Sequence, residues 1–247
     1  MNDERMSERK DVEEGQIVMP FYLICDVSYS MTNDMPALND GVKRLRRAIV
    51  AESVVDDVAQ ICVMTFSNDA KVVVPLSQMS ETAIPELAVE GGTNYGSAFR
   101  ELARVIEDDR AKLKAQGYRV FRPCAFFLTD GEPLDRDWYQ TFSSALHYSP
   151  KTGAGMKAHP IFVPFGFRDA PEDVLRKLAY PPEKGKWYQA RTSGVEEALK
   201  GILDVIMKTV ITSGMSAQTN KPAVTQQDPA PGSGITHGDA EYDPEWI

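Results

Sequence analysis

The chain has 247 residues, 43% of them apolar, with a formal net charge of −9 and a pI near 4.9. That is enough apolar material for one large domain or two small ones, and it excludes a fibre or a wholly disordered chain. The acidity argues against a duplex-binding module, whose affinity comes largely from Lys and Arg neutralising phosphates.

Residues 1–16 are rich in charge and lack the apolar core of a secretory signal. No later stretch reaches the ~18 consecutive apolar residues of a membrane span. A cytoplasmic protein with no membrane or nucleic-acid partner is the expectation. Cys25, Cys62 and Cys124 each lie in an apolar, strand-like run and are too far apart for a zinc knuckle. They read as small buried hydrophobes in a reducing compartment.

The first ordered stretch runs from Val18 through Cys25, nearly all apolar, and ends in Asp26-Val27-Ser28-Tyr29-Ser30. This is a central parallel strand running out into a polar site. Residues 36–57 read as one long helix, with Leu38, Val42, Leu45, Ile49, Val50 and Val54 on its inner stripe and Pro36 in its first turn. Residues 59–66 and 71–76 are strands joined by the turn Ser67-Asn68-Asp69, too short for anything but an antiparallel hairpin, and Pro75 suits an edge. Residues 81–90 form a loop. Gly91-Gly92-Thr93 then leads into a second helix over residues 95–115.

Residues 120–128 form a fourth strand, ending in Thr129-Asp130-Gly131, and residues 135–147 a third helix. A fifth strand over 158–165, a short helix over 171–178, a sixth strand over 186–190 and a last helix over 193–212 follow, the last with Ser193 as its cap. From Ser213 to Gly238 the composition turns to Gln, Thr, Pro, Gly and Ser, which reads as a flexible linker. The chain then closes on acids mixed with Tyr242, Trp246 and Ile247, a candidate docking peptide. The expected organisation is a charged segment over 1–16, one domain over 17–212, and a linker with an acidic, aromatic tail over 213–247. Its fold class is α/β: a doubly wound, mostly parallel six-stranded sheet with one antiparallel edge strand and helices on both faces.

In such sheets ligands bind at the carboxyl ends of the strands, where the strand order reverses. Asp26, Ser28, Ser30 and Asp130 follow strands at that edge, and Thr93 precedes a helix that starts there. Five oxygen donors without thiol or imidazole suit a hard cation, Mg²⁺, Mn²⁺ or Ca²⁺. Each hydroxyl taken singly is equally suited to capping a helix. Asp34, Glu132 and Asp135 lie near the same edge and read as solvated loop residues or caps. His147, His159 and His237 form no catalytic or metal-binding spacing.

Taken together, Asp26-Val27-Ser28-Tyr29-Ser30, Thr93 in Gly91-Gly92-Thr93 and Asp130 in Thr129-Asp130-Gly131 resemble the metal-ion-dependent adhesion site (MIDAS) of von Willebrand factor A (VWA) domains, over residues 17–212. The segments Met19-Pro20-Phe21-Tyr22, Pro36-Ala37-Leu38-Asn39, Val74-Pro75-Leu76, Pro85-Glu86-Leu87 and Leu128-Thr129-Asp130-Gly131-Glu132-Pro133 resemble the bacterial, cytoplasmic members associated with tellurite resistance and stress response. The resemblance implies a VWA fold, a divalent cation held by Asp26, Ser28, Ser30, Thr93 and Asp130, and a non-catalytic scaffold with protein kinase-like or phosphatase-like partners. A partner Asp or Glu would complete the coordination, with Tyr29, Asn94 and Tyr95 giving specificity and Trp246 docking from the tail. Many family members have glycine where this chain has Tyr29.

The rival reading is a Mg²⁺-dependent phosphohydrolase with Asp26 as nucleophile. Such enzymes need a second acid two residues on, where this chain has Ser28, and none of the three loops offers a lysine for a phosphate.

Overall fold

The apolar run at Ile17–Asp26 forms β1, buried on both faces as a central strand must be. In the computed structural model, which describes residues 15–191, 194–219 and 221–240, β1 pairs in parallel with β2 (Ala59–Phe66) on one side. β2 turns into the antiparallel edge strand β3 (Ala70–Ser77). On the other side of β1 lie the two-residue β4 (Arg119–Val120), beside its start, and then the parallel β5 (Cys124–Thr129). Parallel strands β6 (Ile161–Gly166) and β7 (Lys186–Ala190) follow, then the antiparallel β8 (Ile235–Asp239). The spatial order β3-β2-β1-β5-β6-β7-β8 reverses direction between β1 and β5. That reversal opens a crevice at their carboxyl ends.

Alternate residues of β1 face opposite layers. Phe21, Leu23 and Cys25 pack towards α1 (Met35–Ala51), α2 (Ser53–Val58) and α6 (Val195–Ser216), while Tyr22 and Ile24 face α3 (Tyr95–Ala115), α4 (Trp138–Leu146) and α5 (Glu172–Leu178). The second layer is aromatic. Phe127 stacks on Phe66 at 4.8 Å between ring centres and meets Tyr95 edge-on at 4.9 Å. Offset and edge-to-face pairs of this kind stabilise beyond their buried area.

The doubly wound, mostly parallel sheet with helices on both faces is as expected, with eight strands in place of six, and three details differ. The helix expected over 36–57 breaks at Glu52, and the turn there lets Val55 of α2 pack on Gly214 of α6, where a Cβ would come within 2.9 Å of the valine. The fourth strand is split by Pro123: Phe121 still donates to Val18 on β1, and β5 starts at Cys124. The loop over residues 78–90 has no regular structure but is fixed by two buried side chains. Asn39 exchanges two hydrogen bonds with the Leu87 backbone, and Asp56 accepts from Met79 N.

The third difference concerns the stretch expected as a flexible linker. α6 runs on to Ser216, and the chain returns along it: Thr225 N donates to Ser213 Oγ, Gln227 N to Thr209 Oγ1, and Tyr188 OH to the Gln227 carbonyl. It ends as β8, a second antiparallel edge, with Ile235 against Gly201 of α6. Hydroxyls on α6 hold a segment whose composition carries little apolar surface. Residues 1–14, the expected cap Ser193 and the tail with Trp246 lie outside the described residues. Gly15, before β1, and Ala240, after β8, both stand at the amino edge of the sheet, because Asp239 pairs with Lys186 at the start of β7. No helix among the described residues is long and apolar enough to cross a membrane.

At the amino edge His147 and His159 are buried around Tyr180, with His147 stacked on that ring at 4.0 Å. Burial holds His147 down to about 3 and His159 to about 4. As the pH falls below about 6.5 the unfolded chain takes up protons that the folded chain refuses, so stability is complete above 6.5 and is lost towards pH 4 and below. Each such histidine contributes a slope of up to about 1.4 kcal/mol per pH unit. Urea denaturation between pH 7 and 4.5 should give a shallower slope for His147→Phe than for the wild type; equal slopes would refute the assignment. On the same face, Phe127→Ala should lower stability by roughly 3–5 kcal/mol, by the cavity left in the aromatic layer, in the same assay.

Candidate metal centre

β1 delivers Asp26 to the crevice, where a buried carboxylate must find donors. Its Oδ1 accepts from Ser28 N at 2.9 Å, closing the chain into a tight loop, and its Oδ2 accepts from Thr129 Oγ1 at 2.9 Å at the end of β5. A 3₁₀ turn over Tyr29–Asn33 carries the two serines round: the Ser28 and Ser30 hydroxyls are 3.0 Å apart, and Ser30 Oγ donates to Asp130 Oδ1 at 2.8 Å. Asp26, Ser28, Ser30, Asp130 and Thr129 thus form one closed ring of hydrogen bonds and chain links across the β1/β5 crevice. Asp26 and Ser28 are each 1% exposed, Asp130 is buried, and Ser30 stands at the mouth.

Thr93 is buried on the adjoining loop, which backbone hydrogen bonds join to both others. Glu90 N donates to Val27 O, Tyr29 N to Gly91 O, and Leu134 N to Thr93 O. At Gly91 the backbone has φ +45°, and a Cβ would meet the Asn68 amide at 2.6 Å. Only glycine serves there. The structure therefore brings Asp26, Ser28, Ser30 and Asp130 into contact and sets Thr93 in the loop beside them.

Burial pushes the Asp26 carboxyl up to about 6, against the hydrogen bonds from Ser28 and Thr129, which favour the ionised form. Burial raises Asp130 as well, opposed by Ser30 and Arg168. Two acids held in a crevice with hydroxyls, at a cost in desolvation, make a donor set that fits a hard divalent cation, whose charge would offset that cost. Among the described residues no group of three or more His, Cys, Asp or Glu is placed to bind a metal, so a cation here relies on the hydroxyls.

Of the residues expected to give partner specificity, Tyr29 is 72% exposed. Tyr95 is fully buried, and its hydroxyl reaches Thr129 Oγ1 at 2.9 Å and Gly131 O at 2.8 Å, so it supports the ring from beneath. Asn94 spends its side chain on capping α3, accepting from Ser97 N. Trp246 lies outside the described residues. Leu134, which the sequence pattern does not single out, is 73% exposed on the Asp130 loop, next to Gly92. Its position four residues past Asp130 was the available signal. Asp135 accepts from Tyr95 N and Gly96 N at the start of α3, a cap as expected. Asp34 is not a solvated residue: it is 4% exposed and paired with Arg168, 2.6 Å away.

Residues 21–132 match the model of the von Willebrand factor type A domain family. Solved structures with the same fold include a von Willebrand factor type A protein from Catenulispora acidiphila (TM-score 0.55, 16% identity, 79% of this chain and 43% of that one). The pilus adhesin SpaC of Lactobacillus rhamnosus GG aligns with a TM-score of 0.56 and 14% identity over 80% of this chain and 31% of its own. Proximal thread matrix protein 1 of the mussel byssus, in a structure with a zinc-occupied MIDAS motif, aligns with a TM-score of 0.51 and 14% identity over 81% of this chain and 49% of its own. The chain spans less than half the length of each of these three structures. No curated protein matches it significantly. The fold is α/β and VWA-like.

Because Thr129 Oγ1 donates to Asp26, Thr129→Val should cost roughly 1–3 kcal/mol by leaving Asp26 Oδ2 buried without that donor, Tyr95 keeping its bond to Gly131 O, while Thr129→Ser should keep most of the stability. Urea denaturation of the three proteins checks this, and equal losses for Val and Ser would mean that shape rather than the hydroxyl matters.

Proposed function

We propose that this protein is a non-catalytic, divalent-cation-dependent protein-binding domain, in which Asp26, Ser28, Ser30, Thr93 and Asp130 hold the cation and a partner's Asp or Glu completes its shell. The observation that carries the reading is the oxygen-only ring at the β1/β5 crevice, found in a chain whose residues 21–132 match a family of interaction domains that are often metal-dependent. Bound there, the cation would supply an electrophilic open position for an incoming carboxylate. Mg²⁺ is the first choice, with Mn²⁺ and Ca²⁺ as alternatives, since hydroxyls and two carboxylates form a hard, lightly charged donor set. The zinc in the mussel protein's site supports a divalent ion in general.

This chain's own residues do the rest. Asp26 and Asp130 bring negative charge, the serines fix the rim, and Tyr29 and Leu134 flank it as exposed apolar contacts. Such a rim favours an acidic residue set among apolar side chains, the anchors having little rotamer freedom to lose. The bacterial tellurite-resistance and stress-response setting, with kinase-like or phosphatase-like partners, rests on the sequence resemblance. Three buried free thiols support a reducing, cytoplasmic location.

Against the phosphohydrolase reading, both Asp26 oxygens are hydrogen-bonded in a side chain 1% exposed, and Ser28 stands where a general acid is needed.

Mg²⁺ at a hundredfold over its Kd should stabilise the wild type by about 2.7 kcal/mol, while Asp26→Ala gains nothing. Thermal unfolding with and without EDTA measures this, and an equal gain in both proteins would rule out the site. Affinity capture of the partner should in turn fail for Asp26→Ala and in EDTA; capture indifferent to both would rule out the mechanism.

A further inference from the structure

The loop between β6 and α5 reaches the site from the β6 side. Phe167 N donates to Thr129 O and Asp169 N to Asp130 O, so the loop hangs from the residues that close the ring. Between them Arg168 has φ +52°, a left-handed backbone that a non-glycine residue holds only where its surroundings impose it. Its guanidinium donates to Asp34 Oδ1 at 2.7 Å, lies 2.6 Å from Oδ2, and reaches the Ser30 carbonyl at 3.4 Å. Asp34 is buried just past the 3₁₀ turn, and Ser30 is within it. One guanidinium therefore braces both ends of the turn that carries the exposed member of the ring.

We propose that Arg168 is a positioning residue of the candidate metal site: through Asp34 and the Ser30 carbonyl it clamps the 29–33 turn against the loop that hangs from Asp130, holding the Ser30 hydroxyl on Asp130 before a cation arrives. The proposal rests on the metal-binding reading above. It adds an outer contact of the kind that orients ligands and tunes affinity. A lysine would keep the charge but not the fork that spans Asp34 and Ser30. The turn's order can be followed without metal, because Met31 N donates to Ser28 O and Asp34 N to Met31 O within it.

The test compares wild type, Arg168→Ala, Arg168→Lys, the double variant Arg168→Ala/Asp34→Asn, and Asp26→Ala. Mg²⁺ and Mn²⁺ affinities are read by calorimetry, and amide exchange over residues 28–34 is measured in metal-free protein. Arg168→Ala should weaken cation binding about tenfold, in the range for lost outer-shell contacts, and speed exchange at Met31 and Asp34 while leaving β1 protected. The double variant, which no longer buries an unpaired Asp34, should regain thermal stability but not cation affinity, and lysine should recover only part of it. Wild-type affinity in the double variant, or unchanged exchange over 28–34 in Arg168→Ala, would overturn the proposal. A wild type that binds neither cation would instead overturn the metal-binding reading and this proposal with it; binding in wild type that is lost only in Asp26→Ala would leave that reading standing and this one refuted.

Discussion

The architecture depends on keeping one carboxylate, that of Asp26, at the buried end of the central strand. A carboxylate there is costly, and the cost is met by specific donors: the Ser28 amide from its own loop and the Thr129 hydroxyl from β5. Each donor imposes a constraint. The Ser28 contact bends the chain into the turn that presents Ser30, and the Thr129 contact ties β1 to β5 where the sheet changes direction. Tyr95, fixed at the start of α3 by the aromatic layer, then orients Thr129. The site is an outcome of satisfying that acid, so its shape is built into the core rather than left to surface loops.

What the sequence discloses of this arrangement is uneven, for physical reasons. Asp26, Ser28, Ser30 and Asp130 could be read because their chemistry is local: an acid or hydroxyl that closes a long apolar run sits where a buried strand reaches the rim of its sheet. Tyr95 could not, because a tyrosine opening a helix looks the same whether its ring turns out or in, and the aromatic layer decides that. The Arg168 pairing was equally hidden. Arg168 and Asp34 lie 134 residues apart, and no periodicity links them. Leu134 is marked only by its place four residues past Asp130, because an isolated apolar residue in a loop is ordinary.

The return segment after α6 teaches a related lesson. Its composition, poor in large apolar residues, is that of a chain with no core to join, yet Ser213 and Thr209 on α6 bind its backbone and Ile235 fills the space left by Gly201. Composition reports what a segment can bury, not what hydrogen bonds a neighbour can offer it. The split of the first long helix at Glu52 has a similar origin, since the packing of Val55 on Gly214 involves residues far apart in sequence. In both cases α6 is the element that decides.

The placement of Gly15 and Ala240 gives the molecule a polarity. Whatever chain continues from either residue starts at the amino edge of the sheet, while Asp26 and Asp130 open on the carboxyl edge. A segment of the same chain that seeks that edge must first travel the length of a strand, about 33 Å along β1 or about 17 Å along β8 at ~3.3 Å per residue, and then turn over the rim. A neighbouring molecule meets no such detour. Anchored by either end, the domain holds its crevice outward, as a socket facing away from its mounting.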